Sequence, residues 1–308
     1  MRSLEPDLAT RVGSVELANP VMTASGTAGH SDELAAYFDL STLGAVVVKS
    51  LSYEPWPGNP APRVHEATAG MLNSVGLQNP GVEAWLAHEL PALAATGARV
   101  VASIWGRTTE EFALAAGALA AAGPEVVAVE VNVSCPNLED RSRMFAHHPD
   151  TTAAAVEAVA PVGRPRWAKL SPNAADLVEI AAAARAGGAE AVTLINTVMG
   201  MAIDVRSRRP VLGAGGGGLS GPAIHPVAVR AVWDVHQALP DLAVVGVGGV
   251  MGAEDAVELL MAGASAIQVG TATFADPRAP SRVVAGLQRW CRRNGVHRLA
   301  ELIGAAHD

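Results

Sequence analysis

A barrel of eight parallel strands wrapped by helices, the (β/α)₈ architecture, is the fold this sequence predicts, and two observations carry it. Short runs rich in Val, Ile and Ala recur along the 308 residues, and helical patterns with proper ends lie between most of them. Strand and helix alternating in this way give a parallel sheet, and eight repeats close it into a barrel. Composition agrees with that reading. Half of the chain is hydrophobic but only 4% is aromatic, so the apolar mass is Ala, Val and Leu, the usual content of parallel strands covered on both faces.

In chain order the predicted strands are NPVMTAS (19–25), AVVVKS (45–50), ARVVASI (98–104), VVAVEVNVS (126–134), RWAKLS (166–171), AVTLINT (191–197), LAVVGVGG (242–249) and SAIQVGT (265–271). Each closes on a polar residue or glycine, and in such a barrel those closing residues converge on the face that carries the active site. Among the helices, Thr108 and Glu111 form a capping box ahead of EEFALAAGALAAAG, which stops at Gly123 and Pro124. Asn173 is expected to cap AADLVEIAAAARAGG, and AEDAVELLMAG ends at Gly263. Three connections, 51–83, 135–152 and 197–225, are too long for plain βα loops and predict insertions at the C-terminal face. The GAGGGG run at 213–218 predicts mobility in the last of them. No repeat or linker divides the chain, so residues 1–308 read as one domain.

Lys plus Arg number 22 against 30 Asp plus Glu, a net charge of −8, with no dense basic run. Nucleic acid is therefore not an expected partner. The two cysteines, Cys135 and Cys291, fit a reducing cytoplasm and are too few for a four-cysteine iron–sulfur site. The N-terminus lacks the apolar core of a signal peptide, and no uncharged apolar window reaches the ~18 residues of a membrane span. A cytoplasmic chain with no membrane partner is the expectation.

The strand ends carry the chemistry. Lys49 and Lys169 read either as surface lysines or as cations able to hold negative charge developing on a bound flavin. Asn132 and Asn196 are either local backbone partners or amides that read a planar, amide-rich ligand. Glycines after the seventh and eighth strands, in GVGGV (246–250) and QVGTATF (268–274), are either turn formers or a phosphate site built from backbone N–H groups. Cys135 starts a loop in NVSCPN, as a small buried hydrophobe or as a nucleophile or general base. Cys291 has no such neighbours. The sequence shows no metal-type histidine cluster, no P-loop, and no GxGxxG that opens a helix after a strand.

Taken together, NPVMTASGTAG, VVVKS, MLNSVGLQNPGV, NVSCPN, AKLSPN, LINTVMGMAID, GGLSGPAIHPVAVR, VGVGGV and MAGASAIQVGTATF closely resemble the dihydroorotate dehydrogenase family. The likeness is to its class 1 members, to the catalytic subunit of the NAD-linked B-type branch, and runs in order from about residue 10 to 285. It implies an FMN-containing barrel that oxidises (S)-dihydroorotate to orotate in pyrimidine synthesis, with Cys135 as the general base. The substrate positions it implies are Lys49, Asn73, Ser74, Val75, Gly76, Leu77, Asn132, Asn196 and Thr197. For FMN it implies Ser25, Lys49, Ser50, Asn132, Lys169, Ile195, Gly221, Gly248, Gly249, Gly270 and Thr271. Ser103 stands at a further FMN position, where the family usually offers Asn, and the loop NLEDRSRMFAHHP departs from the family pattern of glycines and FG. The branch also implies a homodimer core and an electron-transfer subunit bearing FAD and a 2Fe–2S cluster, which passes electrons to NAD. Three other readings remain open: a dihydropyrimidine dehydrogenase-like flavoprotein, a fumarate-linked class 1 enzyme, and a barrel that binds a phosphate ligand or a protein without redox chemistry.

Overall fold

The computed structural model describes residues 5–134, 136–137 and 143–307. One sheet of eight parallel strands organises the chain: β1 Val21–Thr23, β2 Val46–Val47, β3 Val100–Ile104, β4 Val126–Asn132, β5 Arg166–Lys169, β6 Ala191–Leu194, β7 Ala243–Val247 and β8 Ala266–Val269. Their spatial order follows chain order from β2 to β8, and β8 then pairs with β1. The seam between β1 and β2 is closed partly by a side chain. The Thr23 hydroxyl accepts from Val47 N at 2.8 Å and donates to Val47 O at 3.1 Å, standing in for ladder bonds that two short strands leave unmade. Every predicted strand is present but shorter than its run: in seven of the eight the last residues leave the ladder at the mouth, and the third, Val100–Ile104, loses only its first two.

Alternate residues of each strand point into the barrel. At its N-terminal end, a hairpin of Thr10–Val12 with Val15–Leu17 inserts Val12, Val15 and Leu17 among Met22, Ala45, Val47, Val101, Ala128, Trp167, Ala191, Val245 and Ala266, all buried. Burying each larger aliphatic chain of that plug contributes roughly 1.5–3 kcal/mol. The outer faces of the strands pack against α1 Leu90–Ala95, α2 Thr109–Leu119, α3 Pro149–Ala158, α4 Leu177–Ala186, α5 His225–Ala238, α6 Ala253–Met261 and α7 Ala279–Asn294.

Two local expectations change. Thr108 caps α2 by accepting from Glu111 N at 3.2 Å, but the Glu111 carboxylate reaches back to Arg107 N, one residue beyond the expected partner. The cap of α4 is Asp176, which accepts from Glu179 N at 3.0 Å. Asn173 instead donates to Thr197 O at 3.1 Å and accepts from Met199 N at 3.0 Å, tying the loop after β5 to the loop after β6. The strand–helix alternation is also incomplete, since two 3₁₀ turns, Glu33–Ala36 and Leu40–Thr42, replace a helix after β1. There Asp39 accepts from Ser41 N at 2.9 Å, a local bond that competes with helix propagation.

Two of the long connections meet over the mouth. Val64–Ala67 and Gly70–Asn73 form a hairpin, Gly217–Ser220 pairs with its second strand, and Val198–Gly200 completes a four-stranded antiparallel sheet. Gly217 and Gly218, expected in a mobile loop, therefore lie in an inner strand. A Cβ on Gly218 would run into the Thr197 side chain, and one on Gly217 into Asn73 O, so these glycines permit close approach of backbones. The third connection leaves β4 through Pro136–Asn137, which pairs with Arg143–Met144. It is then pinned at Phe145, whose carbonyl accepts from the hydroxyls of Thr151 at 2.8 Å and Thr152 at 3.0 Å. Cys135 and residues 138–142 lie outside the described residues. Among the described residues no helix is long and apolar enough to cross a membrane.

Candidate active site

The carboxyl ends of the strands and the overlying sheet enclose a cavity of about 610 Å³, within the range of small-ligand and cofactor sites. Almost every residue singled out from the sequence lines it: Ser25 after β1, Lys49 and Ser50 after β2, Asn132 at the end of β4, Lys169 at the end of β5, and Ile195, Asn196 and Thr197 after β6. Asn73–Leu77 enter from the sheet, and Gly221, Gly248, Gly249, Gly270 and Thr271 form the far wall. Ser103 does not line the cavity. It is fully buried behind Ser50, with the two hydroxyls 2.9 Å apart. Cys135 is outside the described residues; Asn132 and Ser134, close to it in sequence, line the cavity.

Ser50 is the centre of a polar chain across the floor. It shares hydrogen bonds with Ser25 at 3.2 Å and with Ser103, and accepts from Asn132 Nδ2 at 3.2 Å. Asn132 Oδ1 accepts from Ser134 N at 3.1 Å and from Asn196 Nδ2 at 3.5 Å, and Asn196 Oδ1 accepts from Thr197 N at 2.8 Å. These bonds fix the two amides in the plane and orientation a flat ligand needs.

Lys49 is half-buried, and its backbone N–H is held by Gly29 O at 3.0 Å. Burial first, and the Arg63 guanidinium second, lower its pKa from the ordinary lysine value. Nearby, His30 is pushed down to about 4, chiefly by burial and then by Lys49, against the opposite pull of Glu33. It is therefore neutral at pH 7 and adds no further positive charge beside Lys49. The site thus presents a partly desolvated ammonium, which a carboxylate ligand would complement.

On the far wall Gly248 has φ +142° and Gly249 φ +67°, conformations in which only glycine is unstrained. A Cβ on Gly248 would lie 2.7 Å from Ala228 Cβ, and one on Gly249 2.6 Å from His225 Cβ. His225 clamps this turn. Its Nδ1 lies 2.8 Å from Gly248 O and its Nε2 3.1 Å from a Glu258 carboxylate oxygen. With Thr271 donating to Ser220 Oγ at 2.8 Å, the wall offers bare backbone and hydroxyls to a phosphate-sized group.

Sequence reading missed the rim. Trp56 and Trp105 meet edge to face, with ring centroids 5.7 Å apart, and the Arg107 guanidinium lies 4.8 Å over Trp56. Trp105 and Arg107 directly follow β3, so the strand-end criterion that selected Lys49 selects them too. Asn59 gave no such signal. It donates to Ser74 Oγ at 2.9 Å and so shapes the 73–77 segment from earlier in the same long connection.

Comparison with known proteins bears on this geometry. A family model described as dihydroorotate dehydrogenase matches residues 7–290. The chain is 49% identical to the dihydroorotate dehydrogenase B (NAD(+)) catalytic subunit of Desulforudis audaxviator, over 97% of each chain. It is 46% identical to the protein of the same name from Pelobacter propionicus, over 98% of this chain and 99% of that one. The like-named protein of Geobacter metallireducens is also 46% identical, over 97% and 98% respectively.

Proposed function

The chain belongs to the dihydroorotate dehydrogenase family, and from that premise we propose that its barrel mouth holds FMN and oxidises (S)-dihydroorotate to orotate in pyrimidine synthesis. The single observation that carries the reading is convergence. One cavity joins a half-buried ammonium, two oriented amides and a wall of bare glycine backbone. The residues fit FMN. Gly221, Gly248, Gly249, Gly270 and Thr271 would hold its phosphate, Ser25, Ser50, Asn132 and Ile195 would flank its ring, and Lys169 would lie by the ring's pyrimidine end. Ser103 would act from behind Ser50.

Bound FMN supplies the acceptor for the hydride that leaves substrate C6. Cys135, as thiolate, takes the proton from C5, so that the C5–C6 bond becomes the double bond of orotate. Lys49 binds the substrate carboxylate, while Asn73, Asn132, Asn196 and Thr197 bond the ring amides. Ser74, Val75, Gly76 and Leu77 cover the ligand.

Electrons then leave for NAD through a partner subunit. Two cysteines in 308 residues cannot supply four ligands to a cluster, so the 2Fe–2S cluster is assigned to that partner, together with the FAD that the family resemblance implies, and the relatives' description as catalytic subunits supports a division of labour. A homodimer core and a cytoplasmic location complete the proposal.

A dihydropyrimidine substrate without the carboxylate is disfavoured by Lys49, whose charge such a ligand leaves unmatched. The test is anaerobic flavin reduction with dihydroorotate and, separately, dihydrouracil. Fast bleaching by dihydroorotate is expected, and a preference for dihydrouracil would defeat the substrate assignment.

A further inference from the structure

Glu130 is a fully buried carboxylate in the interior of the barrel, two residues before Asn132 on the same inward face of β4. Its two oxygens are used differently. Oε2 accepts from Gln268 Nε2 of β8 at 2.7 Å and from Thr193 Oγ1 of β6 at 3.1 Å. Oε1 has no hydrogen-bond partner among the described residues, and the Lys169 ammonium lies 3.7 Å from it. Lys169 reaches this point from β5, one strand over from β4, and lines the cavity with only 6% of its side chain exposed. The two donors, from strands β6 and β8 with β7 between them, lock the carboxylate, leaving one oxygen directed at one cation.

Hydrogen bonding alone does not explain an acid here. A glutamine of the same size could satisfy Thr193 and Gln268, and a buried carboxylate is costly unless it is matched by a cation. What glutamine could not supply is the negative charge beside Lys169. We propose that Glu130 is a positioning residue for the flavin: it fixes the Lys169 ammonium at the pyrimidine end of the ring and partly cancels its charge, thereby setting the reduction potential of bound FMN. The inference rests on the FMN reading above. Its logic is electrostatic, since an uncompensated cation close to a flavin favours the electron-rich reduced form, and a compensated one favours it less.

The test is the two-electron midpoint potential of the full-length, FMN-loaded protein at pH 7, measured by equilibration with a reference dye. Glu130→Gln is expected to raise the potential by about 30 mV or more, the equivalent of a tenfold change in the reduction equilibrium. Lys169→Met is expected to lower it. In the Lys169→Met background, adding Glu130→Gln is expected to produce a clearly smaller rise than it does alone, because the carboxylate acts largely through that lysine. An unchanged potential in Glu130→Gln, with FMN bound and thermal stability intact, would overturn the proposal, as would a full-sized rise without Lys169. Should the glutamine variant not fold, Glu130→Asp withdraws the charge from Lys169 by one methylene. A smaller rise is then expected, and no change would count against the idea. A wild-type chain that takes up no FMN defeats the functional reading itself and this inference with it, a result distinct from a flavoprotein indifferent to residue 130.

Discussion

Replacing Cys135 by alanine is expected to leave FMN bound while slowing its reduction by dihydroorotate about 10²- to 10⁴-fold, the range that a positioned general base contributes. The substrate C5 proton is not acidic enough to leave unaided, and alanine has no group to take it. Retained flavin absorbance is the control, because Cys135 belongs to the loop after β4 and to none of the positions that would cradle the phosphate. Stopped-flow mixing under nitrogen measures the rate. Reduction at the wild-type rate would remove Cys135 from the mechanism and shift attention to another base at the mouth.

The second large effect is expected at Lys49. Truncating one partner of a desolvated charge pair costs ~2–5 kcal/mol, and since Lys49 is only half-buried we expect the low end, roughly thirtyfold in dihydroorotate affinity for Lys49→Met. Dihydrouracil, which has no carboxylate, should bind the variant at least as well as the wild type. The same pair predicts a pH dependence. Burial and Arg63 lower the Lys49 pKa, so its ammonium is lost at a lower pH than that of an ordinary lysine. Dihydroorotate KM should therefore rise on the alkaline side, and Lys49→Met should abolish that limb. A limb that survives in the variant would assign it to another group.

The reasons these residues could be found from sequence are physical, and so are the reasons others could not. The strands are legible because β-branched runs buried on both faces tolerate almost no polar residue until they reach the mouth. That same rule exposes Lys49, Asn132, Lys169 and Asn196, each of which closes such a run. Glu130 obeys it in reverse. An acid in the middle of VVAVEVNVS is out of place in an apolar strand, and its partners come from β5, β6 and β8, which only closure of the barrel brings together.

The sheet over the mouth was hidden for a different cause. Its pairing of Asn73 with Gly218 joins segments far apart in sequence, and neither RVHEATAGMLN nor GGLS has the alternation of a buried strand. Gly217 and Gly218 read as flexible because glycine signals both freedom and close approach, and only the neighbouring Thr197 and Asn73 decide between them. The cap of α4 was misplaced by three residues for a related reason, since Asn173 and Asp176 are both good caps and the bond of Asn173 to Thr197 is tertiary.

The central claim is that this barrel mouth is an FMN site built to oxidise dihydroorotate. Its most direct test is an anaerobic titration of the FMN-loaded chain with (S)-dihydroorotate, followed by flavin absorbance and by orotate formation. The account predicts loss of the oxidised flavin band with one orotate formed per flavin reduced, in the absence of any partner subunit. A flavin that stays oxidised in excess dihydroorotate, while the chain remains folded and FMN remains bound, would contradict it.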